Sequence, residues 1–345
     1  MQTTFERARA AQDSGDLGEA EALYRQAMAE EPAKAANELA TLLFARGRDA
    51  EAEALFLQAM AAAPPWAKPR FNLGLVRLMQ GDYPAGFALH EARRQVPESG
   101  TRELPLPWPE WRGEPLAGKR VVVLGEQGFG DQIMFARFLP ALRAMGAVVR
   151  YFCGAAVAPL FEGAVSELSD EEAADFWVLA GSLPLRLEVT ADSLPPPVAP
   201  KLATSAGGGI GVMARGRPEH GNDANRSLDT ASAARLAALG RDLSPAATGA
   251  KDFLETARIV AGLDLVISVD TAVAHLAASM GKRTWILLPS VGTDWRWMRG
   301  RTDSPWYPSA VLFRQAPGSG WSGVLDAVEA AVAASGAGTA DAPLA

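Results

Sequence analysis

The sequence predicts a chain of two structural classes, all-α in its first third and α/β with parallel sheets over the remainder. A pattern of glycine, small and aromatic residues repeats within the first hundred positions, and two later stretches each read as buried strand, polar loop and helix. The 345 residues exceed one ordinary core, so several domains are expected. We predict helical repeats at 1–96, a Pro/Trp-rich strap at 97–117, two α/β halves at 118–206 and 207–334, and a disordered tail at 335–345.

Composition excludes several classes of protein. The net charge of −7 argues against nucleic acid as the main partner. Cys153 stands alone, so an intrachain disulfide cannot form. The first residues carry charges without the apolar core of a secretory signal, and apolar runs stay well below the roughly 20 residues of a spanning helix. We therefore expect a soluble cytoplasmic protein without membrane insertion.

Glycines mark the turns of the predicted repeats. Gly15, Gly47 and Gly81 recur 32 and 34 residues apart, each followed by small and aromatic positions at matching offsets. This pattern resembles the tetratricopeptide repeat, a helical hairpin of about 34 residues. Such stacks present a concave face that binds protein segments, or they only support the rest of the chain, and the sequence favours neither. His90 replaces an aromatic residue in the third unit and is interpreted as structural.

A segment rich in proline and tryptophan follows the repeats, at residues 97–117. Proline disfavours regular structure there. Trp108 and Trp111 are too apolar for a freely exposed linker, so we predict an irregular strap packed across the domain junction.

The first α/β unit contains a glycine-rich loop. Residues 121–124 read as a buried strand, and Gly125, Gly128 and Gly130 would let a ligand approach the backbone. The spacing G-x-x-G-x-G differs from the dinucleotide-binding pattern, which excludes that class. Asp131 follows as the predicted cap of a helix.

The rest of that unit is a helix and a strand. Pro140 is expected to kink the helix, and residues 148–152 read as the next strand. The strand ends without an acidic residue to hold a ribose, which agrees with rejecting the dinucleotide reading.

The second strand–loop–helix stretch, residues 263–289, is the most informative part of the sequence. A strand at 265–268 leads to Asp270 and Thr271, both good N-cap residues, and a helix should run to about Met280 before a strand at 284–288. Ligands of parallel sheets bind at such strand ends. A diphosphate would lie over the backbone of the first helical turn, at Thr271, Ala272 and Val273. His275, one turn further along the helix, could add a proton donor. From this unit alone, capping and packing roles are the favoured interpretation.

A polar loop follows the strand at 210–213. Arg226 and Asn225 could clamp a diphosphate, because guanidinium groups suit phosphate geometry. For Arg215, Arg217 and His220 a solvated loop is favoured.

Long motifs in a fixed order carry a resemblance to a known family. GEQGFGD with ARFLPAL, then NRS, DLVISVDTAVAHLAASMGK, DWRW and DSPWYPS resemble the tetratricopeptide-linked bacterial glycosyltransferases. These are related to family 9 heptosyltransferases and, distantly, to protein O-GlcNAc transferases. The resemblance implies a compact GT-B-like pair of Rossmann-like halves, with the acceptor side at 118–206 and the nucleotide-sugar side at 207–334. It implies inverting transfer without metal or cofactor, and the sequence lacks a D-x-D motif.

The resemblance also implies residue roles. Asp131 matches the Gly-Asp general base of heptosyltransferases. A helix N-terminus lowers a carboxylate pKa and weakens the base, so a purely capping role stays open. A phosphate-binding cation is expected close to Arg226. In DWRW, aromatic residues would wall the base or sugar, whereas for Trp297 pinning of the loop is preferred.

Two segments depart from the family. The first half is short, and residues 241–251 contain no convincing strand, so the loop that contacts the nucleotide in relatives is expected to be lost. The favoured function is sugar transfer from a nucleotide sugar to a protein acceptor on the concave face of the repeats. A non-catalytic scaffold with a degenerate GT-B domain and a heptosyltransferase-like enzyme acting on a glycolipid are the alternatives.

Overall fold

The computed structural model describes residues 1–101, 105–169, 172–200, 202 and 208–335. The chain divides into two compact units, Met1–Glu103 with Val291–Arg299, and Leu104–Ser290 with Gly300–Ala345. Most of the predicted tail, from residue 336 onward, lies outside the described residues. Within the described ranges, every helix is too short or too polar to cross a bilayer.

The first unit contains three helical hairpins. Their helices are α1 Thr4–Asp13, α2 Leu17–Ala27, α3 Pro32–Ala45, α4 Asp49–Ala62, α5 Ala67–Met79 and α6 Tyr83–His90. Gly15, Gly47 and Gly81 turn the chain within each hairpin at φ of 85°, 78° and 83°, a region that favours glycine. Tyr24 and Phe56, the aromatic positions of the first two repeats, are buried. The helical organisation is confirmed, while the tetratricopeptide assignment stays a prediction.

His90 ends the third hairpin as a buried residue. Its ring centroid lies 5.5 Å from that of Phe71 and 6.4 Å from that of Phe87. Burial lowers the pKa of His90 well below its usual value, and the neighbouring charges of Arg93 and Arg296 lower it further. His90 is therefore a structural residue, as predicted.

Residues 291–299 belong to the helical unit although they lie far along the chain. Arg299 Nε donates to both carboxylate oxygens of Asp49, at 3.1 and 3.0 Å, and its guanidinium lies 5.2 Å from the ring centroid of Phe44. Trp295 meets Phe87 edge to face at 5.8 Å, and Trp297 is fully buried, as its pinning role predicted. The predicted half 207–334 includes this segment, which the structure groups with the helices instead.

A parallel sheet with the order β3-β2-β1-β4 forms the first α/β half. Its elements are β1 Arg120–Leu124, α7 Phe129–Phe135, α8 Leu139–Ala144, β2 Val148–Phe152, β3 Ala164–Val165, β4 Phe176–Leu179 and α9 Leu183–Arg186. A kink was expected at Pro140, and the hydrogen-bond pattern of the helix changes just before it, where the 3₁₀ turn Ala136–Phe138 lies between α7 and α8. Pro140 lies in the first turn of α8, where its missing N–H has no helical partner to lose.

The described part of the strap packs beside this sheet. Trp111 N–H donates to the Trp177 carbonyl at 2.7 Å, and Trp177 N–H donates to the Pro109 carbonyl at 3.0 Å. The Trp111 ring is fully buried, and its Nε1 donates to the Glu114 carbonyl at 2.9 Å. Apart from the 3₁₀ turn Pro97–Ser99, the described strap is irregular, and Trp111 anchors it along the outer edge of β4. Its predicted packing across the domain junction stays a prediction.

A second parallel sheet has the order β6-β5-β7-β8-β9. Its elements are β5 Ile210–Met213, α10 Asp223–Arg226, α11 Thr230–Ala237, β6 Arg241–Asp242, α12 Pro245–Thr248, α13 Phe253–Ala261, β7 Leu265–Val269, α14 Ala272–Ser279, β8 Arg283–Leu288, β9 Ala310–Arg314 and α15 Ser322–Ser335. All five residues of β7 are buried, which confirms the buried strand predicted at 265–268.

The expectation that residues 241–251 lack a strand is wrong. Arg241 and Asp242 pair in parallel with β5, and Leu243 N–H donates to the Val212 carbonyl at 2.9 Å. Both residues of β6 are exposed at the edge of the sheet, so the sequence shows no apolar run there.

Each sheet has one point where the strand order reverses. The chain leaves β1 towards β2 and β3 and returns to β4 on the other side, and it leaves β5 towards β6 and returns to β7. Ligands of open parallel sheets bind at the carboxyl ends of strands beside such switch points. This places candidate sites after β1 and after β7.

Candidate functional site

The glycine-rich loop after β1 is fixed by side chains at the first switch point. Buried Glu126 accepts a hydrogen bond of 2.8 Å from Gly181 N–H, beyond the end of β4. Gln132 Oε1 accepts from Gly154 N–H at 2.9 Å, beyond the end of β2. Gln127 has φ of 59°, a strained value for a residue other than glycine. The loop is thus held in one conformation by its neighbours.

Asp131 is the third residue of α7, and the N-cap is Gly128. The predicted N-cap position of Asp131 is therefore wrong by three residues. Its Oδ2 accepts a hydrogen bond of 3.0 Å from Gly128 N–H, so the carboxylate turns back over the helix start. Asp131 is half-buried and remains a candidate base, while Gly128 is exposed.

Arg226 connects the two loops of the second switch point. Its Nη1 donates to the Asp270 carbonyl at 2.9 Å, and its Nε donates to Asp223 Oδ1 at 3.1 Å. The sequence placed Arg226 near the strand ends, and the structure joins the loop after β5 to the loop after β7 through it. Asn225, its predicted companion, is exposed and bonds Asn222 Oδ1 at 2.6 Å.

Helix α14 begins after Thr271, as predicted. The backbone of Thr271 is extended, at φ of −143° and ψ of 166°, but its hydroxyl does not cap the helix. The hydroxyl shares a hydrogen bond of 2.9 Å with buried Ser268. Ala272 and Val273 form the first turn, so their amides lie at the carboxyl end of β7. The predicted side-chain cap does not form because the Thr271 hydroxyl is already hydrogen-bonded to Ser268 of β7.

His275 lies one turn into α14 and is buried. Its Nδ1 is 2.8 Å from the Tyr307 hydroxyl, and its Nε2 is 3.6 Å from Asp270 Oδ1. The imidazole thus has a polar partner on each side, beyond the packing role favoured from the sequence.

The two switch points meet at Gly130. A Cβ built on Gly130 would lie 2.6 Å from His275 Cδ2 and 3.2 Å from its Nε2. The sequence attributed this glycine to close approach of a ligand, whereas in the structure the imidazole of His275 fills the space. The contact brings the start of α7, with Asp131, against the start of α14.

His220 is exposed, in agreement with its predicted solvated loop, but the charged residues of this group act on it. Partial desolvation and then the charge of Arg226 lower the pKa of His220, while the carboxylates of Asp270, Asp131 and Asp223 oppose the shift. These interactions place His220 among the candidate residues of both loops. Its only sequence signal was a histidine in a polar loop after a strand.

Arg215 and Arg217, two further cations of the loop after β5, have different partners. Arg217 stacks on Phe129, with its guanidinium carbon 5.3 Å from the ring centroid, and Arg215 Nη2 donates to Thr230 Oγ1 at 3.4 Å. Arg215 is exposed, in agreement with its predicted solvated position.

Residues 221–287 match the model of glycosyltransferase family 9 (heptosyltransferase). The matched segment contains Arg226, Asp270 and the whole of α14, which together form the second switch point. The family 9 match therefore covers the second switch point, where the candidate donor-side residues lie. It supports a glycosyltransferase enzyme.

Two other proteins are similar over part of their length. Protein FlbA of Caulobacter vibrioides is 32% identical over 96 residues, which make up 27% of this chain and 16% of that protein. The solved structure of an O-GlcNAc transferase mutant from Thermobaculum terrenum aligns with 14% identity and a TM-score of 0.26, covering 83% of this chain and 51% of that one. This chain thus spans about half of that transferase and less than a fifth of FlbA.

Proposed function

We propose that this chain transfers a sugar from a nucleotide-sugar donor to an acceptor hydroxyl held between the two facing switch points. The observation that carries the proposal is the contact of Gly130 with His275. It brings a carboxylate, Asp131, to the same place as a helix start and an arginine. Those are the groups that a displacement at an anomeric carbon requires.

The donor diphosphate would bind at the start of α14. A helix N-terminus carries partial positive charge and presents N–H groups to an anion. Here the amides of Ala272 and Val273 occupy that position, and Arg226 is held beside them by its bond to the Asp270 carbonyl. A guanidinium matches phosphate oxygens in geometry as well as in charge.

The reaction is a single displacement with inversion. The acceptor oxygen forms a bond to the anomeric carbon as the bond to the diphosphate oxygen breaks, and the electron pair leaves with the nucleoside diphosphate. Asp131 takes the proton of the acceptor hydroxyl, and His275 Nε2–H donates a hydrogen bond to the leaving diphosphate. We propose that these groups suffice without a metal or other cofactor.

Asp131 already has a hydrogen-bond partner in the resting structure. Its Oδ2 accepts from Gly128 N–H at 3.0 Å, so an acceptor hydroxyl must reach the carboxylate beside this contact. Its contribution therefore depends on alignment with the acceptor, and positioning supplies much of the rate in reactions of two substrates. If Asp131 only closes the loop over α7, an amide in its place retains activity.

We propose that the acceptor is a cytoplasmic protein. The three helical hairpins formed by α1–α6 would bind it and would act as tetratricopeptide repeats. The repeat spacing and the three hairpins support this role. The family 9 (heptosyltransferase) match favours a second candidate, a heptosyltransferase-like enzyme that acts on a glycolipid. Transfer from labelled nucleotide sugars distinguishes them, because the label enters precipitated protein in one case and the lipid extract in the other.

Binding of nucleoside diphosphates to the full-length chain tests the donor site. A ligand that binds only the folded state at 100 times its Kd stabilises it by about 2.7 kcal/mol. Absence of any thermal shift across the common nucleoside diphosphates would favour a non-catalytic scaffold.

The Asp131→Asn variant tests the base. Asparagine keeps an oxygen for Gly128 N–H, so we expect the fold and nucleotide binding to be retained while transfer is lost. Transfer by this variant at the wild-type rate would remove Asp131 from the mechanism.

A further inference from the structure

A buried arginine reaches from the first α/β half into the second. Arg137, in the 3₁₀ turn between α7 and α8, has 1% of its surface exposed. Its Nε donates to the Met134 carbonyl at 3.0 Å within its own half, and its Nη2 donates to the Trp306 carbonyl at 2.8 Å in the other. A buried guanidinium needs such acceptors to offset the loss of water, so its position is tightly specified.

Arg137 also packs on the two aromatic side chains that follow β8. Its guanidinium carbon lies 4.8 Å from the ring centroid of Trp306 and 5.1 Å from that of Tyr307. A cation over an aromatic ring is attracted by the electron density of its face. It also withdraws density from the ring, which makes the Tyr307 hydroxyl a stronger donor.

Tyr307 in turn contacts His275. Its hydroxyl is 2.8 Å from Nδ1, and the two rings meet edge to face with centroids 5.5 Å apart. The opposite nitrogen, Nε2, lies 3.6 Å from Asp270 Oδ1. Each ring nitrogen therefore faces a group of different hydrogen-bonding character.

This geometry determines which nitrogen carries the proton. A carboxylate accepts but does not donate, so a lone pair on Nε2 would repel Asp270. In the neutral ring the proton is then on Nε2, and Nδ1 accepts from Tyr307 Oη–H. In the charged ring both nitrogens are N–H groups, and the phenol oxygen accepts. Nε2 is a donor in both states.

We propose that Arg137 and Tyr307 are positioning residues, which fix the orientation and tautomer of His275 so that Nε2–H points towards Asp270 and the diphosphate site. The role of that N–H in transfer rests on the proposed function, whereas the tautomer itself does not. The first half thereby orients a side chain of the second half, at the start of α14.

The tautomer is measurable by nitrogen NMR, independently of activity. The sequence contains three histidines, so a ¹⁵N-labelled sample gives three imidazole patterns, which His90→Phe and His220→Gln variants assign. We expect His275 to carry its proton on Nε2, or on both nitrogens. A neutral ring with the proton on Nδ1 would overturn the proposal.

Tyr307→Phe removes only the hydroxyl from this arrangement. We expect the Nδ1-protonated form of His275 to become populated and kcat to fall at least tenfold, with KM for the nucleotide sugar changed less than threefold. Tyr24→Phe is the matched control, since it deletes a buried hydroxyl bonded to Gln12 Oε1 at 2.9 Å in the helical unit. It should leave the His275 signals and kcat unchanged.

The outcomes separate the two proposals. Unchanged His275 signals and unchanged kcat in Tyr307→Phe would refute the positioning role. The expected change in tautomer, together with a wild-type chain that transfers no sugar, would keep the positioning role and refute the proposed function.

Arg137→Lys tests the remote part of the arrangement. Lysine keeps the charge but loses the planar fork that bonds Trp306 and covers Tyr307. We expect the His275 signals to move in the same direction as in Tyr307→Phe, but by less. Wild-type His275 signals in a folded Arg137→Lys protein would remove Arg137 from the proposal.

Discussion

Gly130 and His275 belong to different α/β halves, yet the ring of His275 occupies the space where a side chain on residue 130 would begin. A Cβ there would lie 2.6 Å from His275 Cδ2, closer than real Cβ contacts. Residue 130 of the GFGD motif must therefore be glycine, because a larger side chain would collide with His275 of the opposite half. This contact aligns the glycine-rich loop with the start of α14.

Gly130→Ala should displace the imidazole or separate the two helix starts. Overpacking by one methyl group costs typically about 1–3 kcal/mol, and we expect this loss in the free energy of unfolding together with weaker transfer. Chemical denaturation measures it. Gly323→Ala is the matched control, because Gly323 is exposed in α15 and no atom lies within 4 Å of its added Cβ, so the substitution should stabilise the protein.

A second substitution checks the cause. If the ring of His275 is the obstacle, the loss in Gly130→Ala should be mostly absent in a His275→Ala background. An equal loss in both backgrounds would mean that the methyl group meets something else.

Arg226→Gln should weaken binding of nucleoside diphosphates. The substitution removes a charged donor, and a hydrogen bond between charged groups contributes about 1.5–3 kcal/mol, so Kd should rise roughly 10- to 100-fold. Isothermal titration calorimetry measures the change. Arg215→Gln removes an exposed cation from the same loop and should alter Kd less than twofold. Equal effects of both variants would indicate general attraction of anions rather than a specific contact.

The stability of the helical unit should fall as the pH drops below about 6.5, because of His90. Burial, Arg93 and Arg296 keep the pKa of His90 well below this value in the folded chain, so the unfolded chain alone binds a proton there. Each pH unit in this window then costs up to about 1.4 kcal/mol. Unfolding of wild type and His90→Phe between pH 5.5 and 7.5 measures the difference in slope. Parallel pH profiles would contradict the assignment.

Strands that are apolar on both faces are predicted well from the sequence. Val121, Ile210 and Val266 lie in continuous apolar runs because parallel strands are covered on both sides. Strand β6 was missed, since Arg241 and Asp242 face solvent at the sheet edge and only their backbone pairs with β5.

The candidate site was predictable only in part. Thr271 and Arg226 were placed by local pattern, at strand ends next to a helix start. The contacts of Gly130 with His275 and of Arg137 with Tyr307 depend on how two separately encoded sheets pack, and no local pattern contains that information. The electrostatic influence of Asp131 and Asp270 on His220 was missed for the same reason, since both residues are distant from it in sequence.

Arg299→Ala should release residues 291–299 from the helical unit. Arg299 bonds both oxygens of Asp49, donates to the Phe44 carbonyl and covers the Phe44 ring. The side chains of Arg299 and Asp49 are only 28% and 20% exposed, so solvent screens the pair weakly compared with a surface ion pair. We expect a loss of about 1–3 kcal/mol in unfolding free energy and faster hydrogen exchange at Trp295 and Trp297.

Arg301→Ala provides the comparison from the neighbouring segment. Arg301 pairs with Asp303, whose side chain is 69% exposed, and exposed pairs contribute about 0–1 kcal/mol. Its loss should leave exchange at residues 294–299 unchanged. Because β8 ends at Leu288, just before this segment, a loosened loop in Arg299→Ala would leave the strand intact. Slow exchange at Trp295 and Trp297 in that variant would instead mean that their own burial holds the loop, with Arg299 contributing only at the surface.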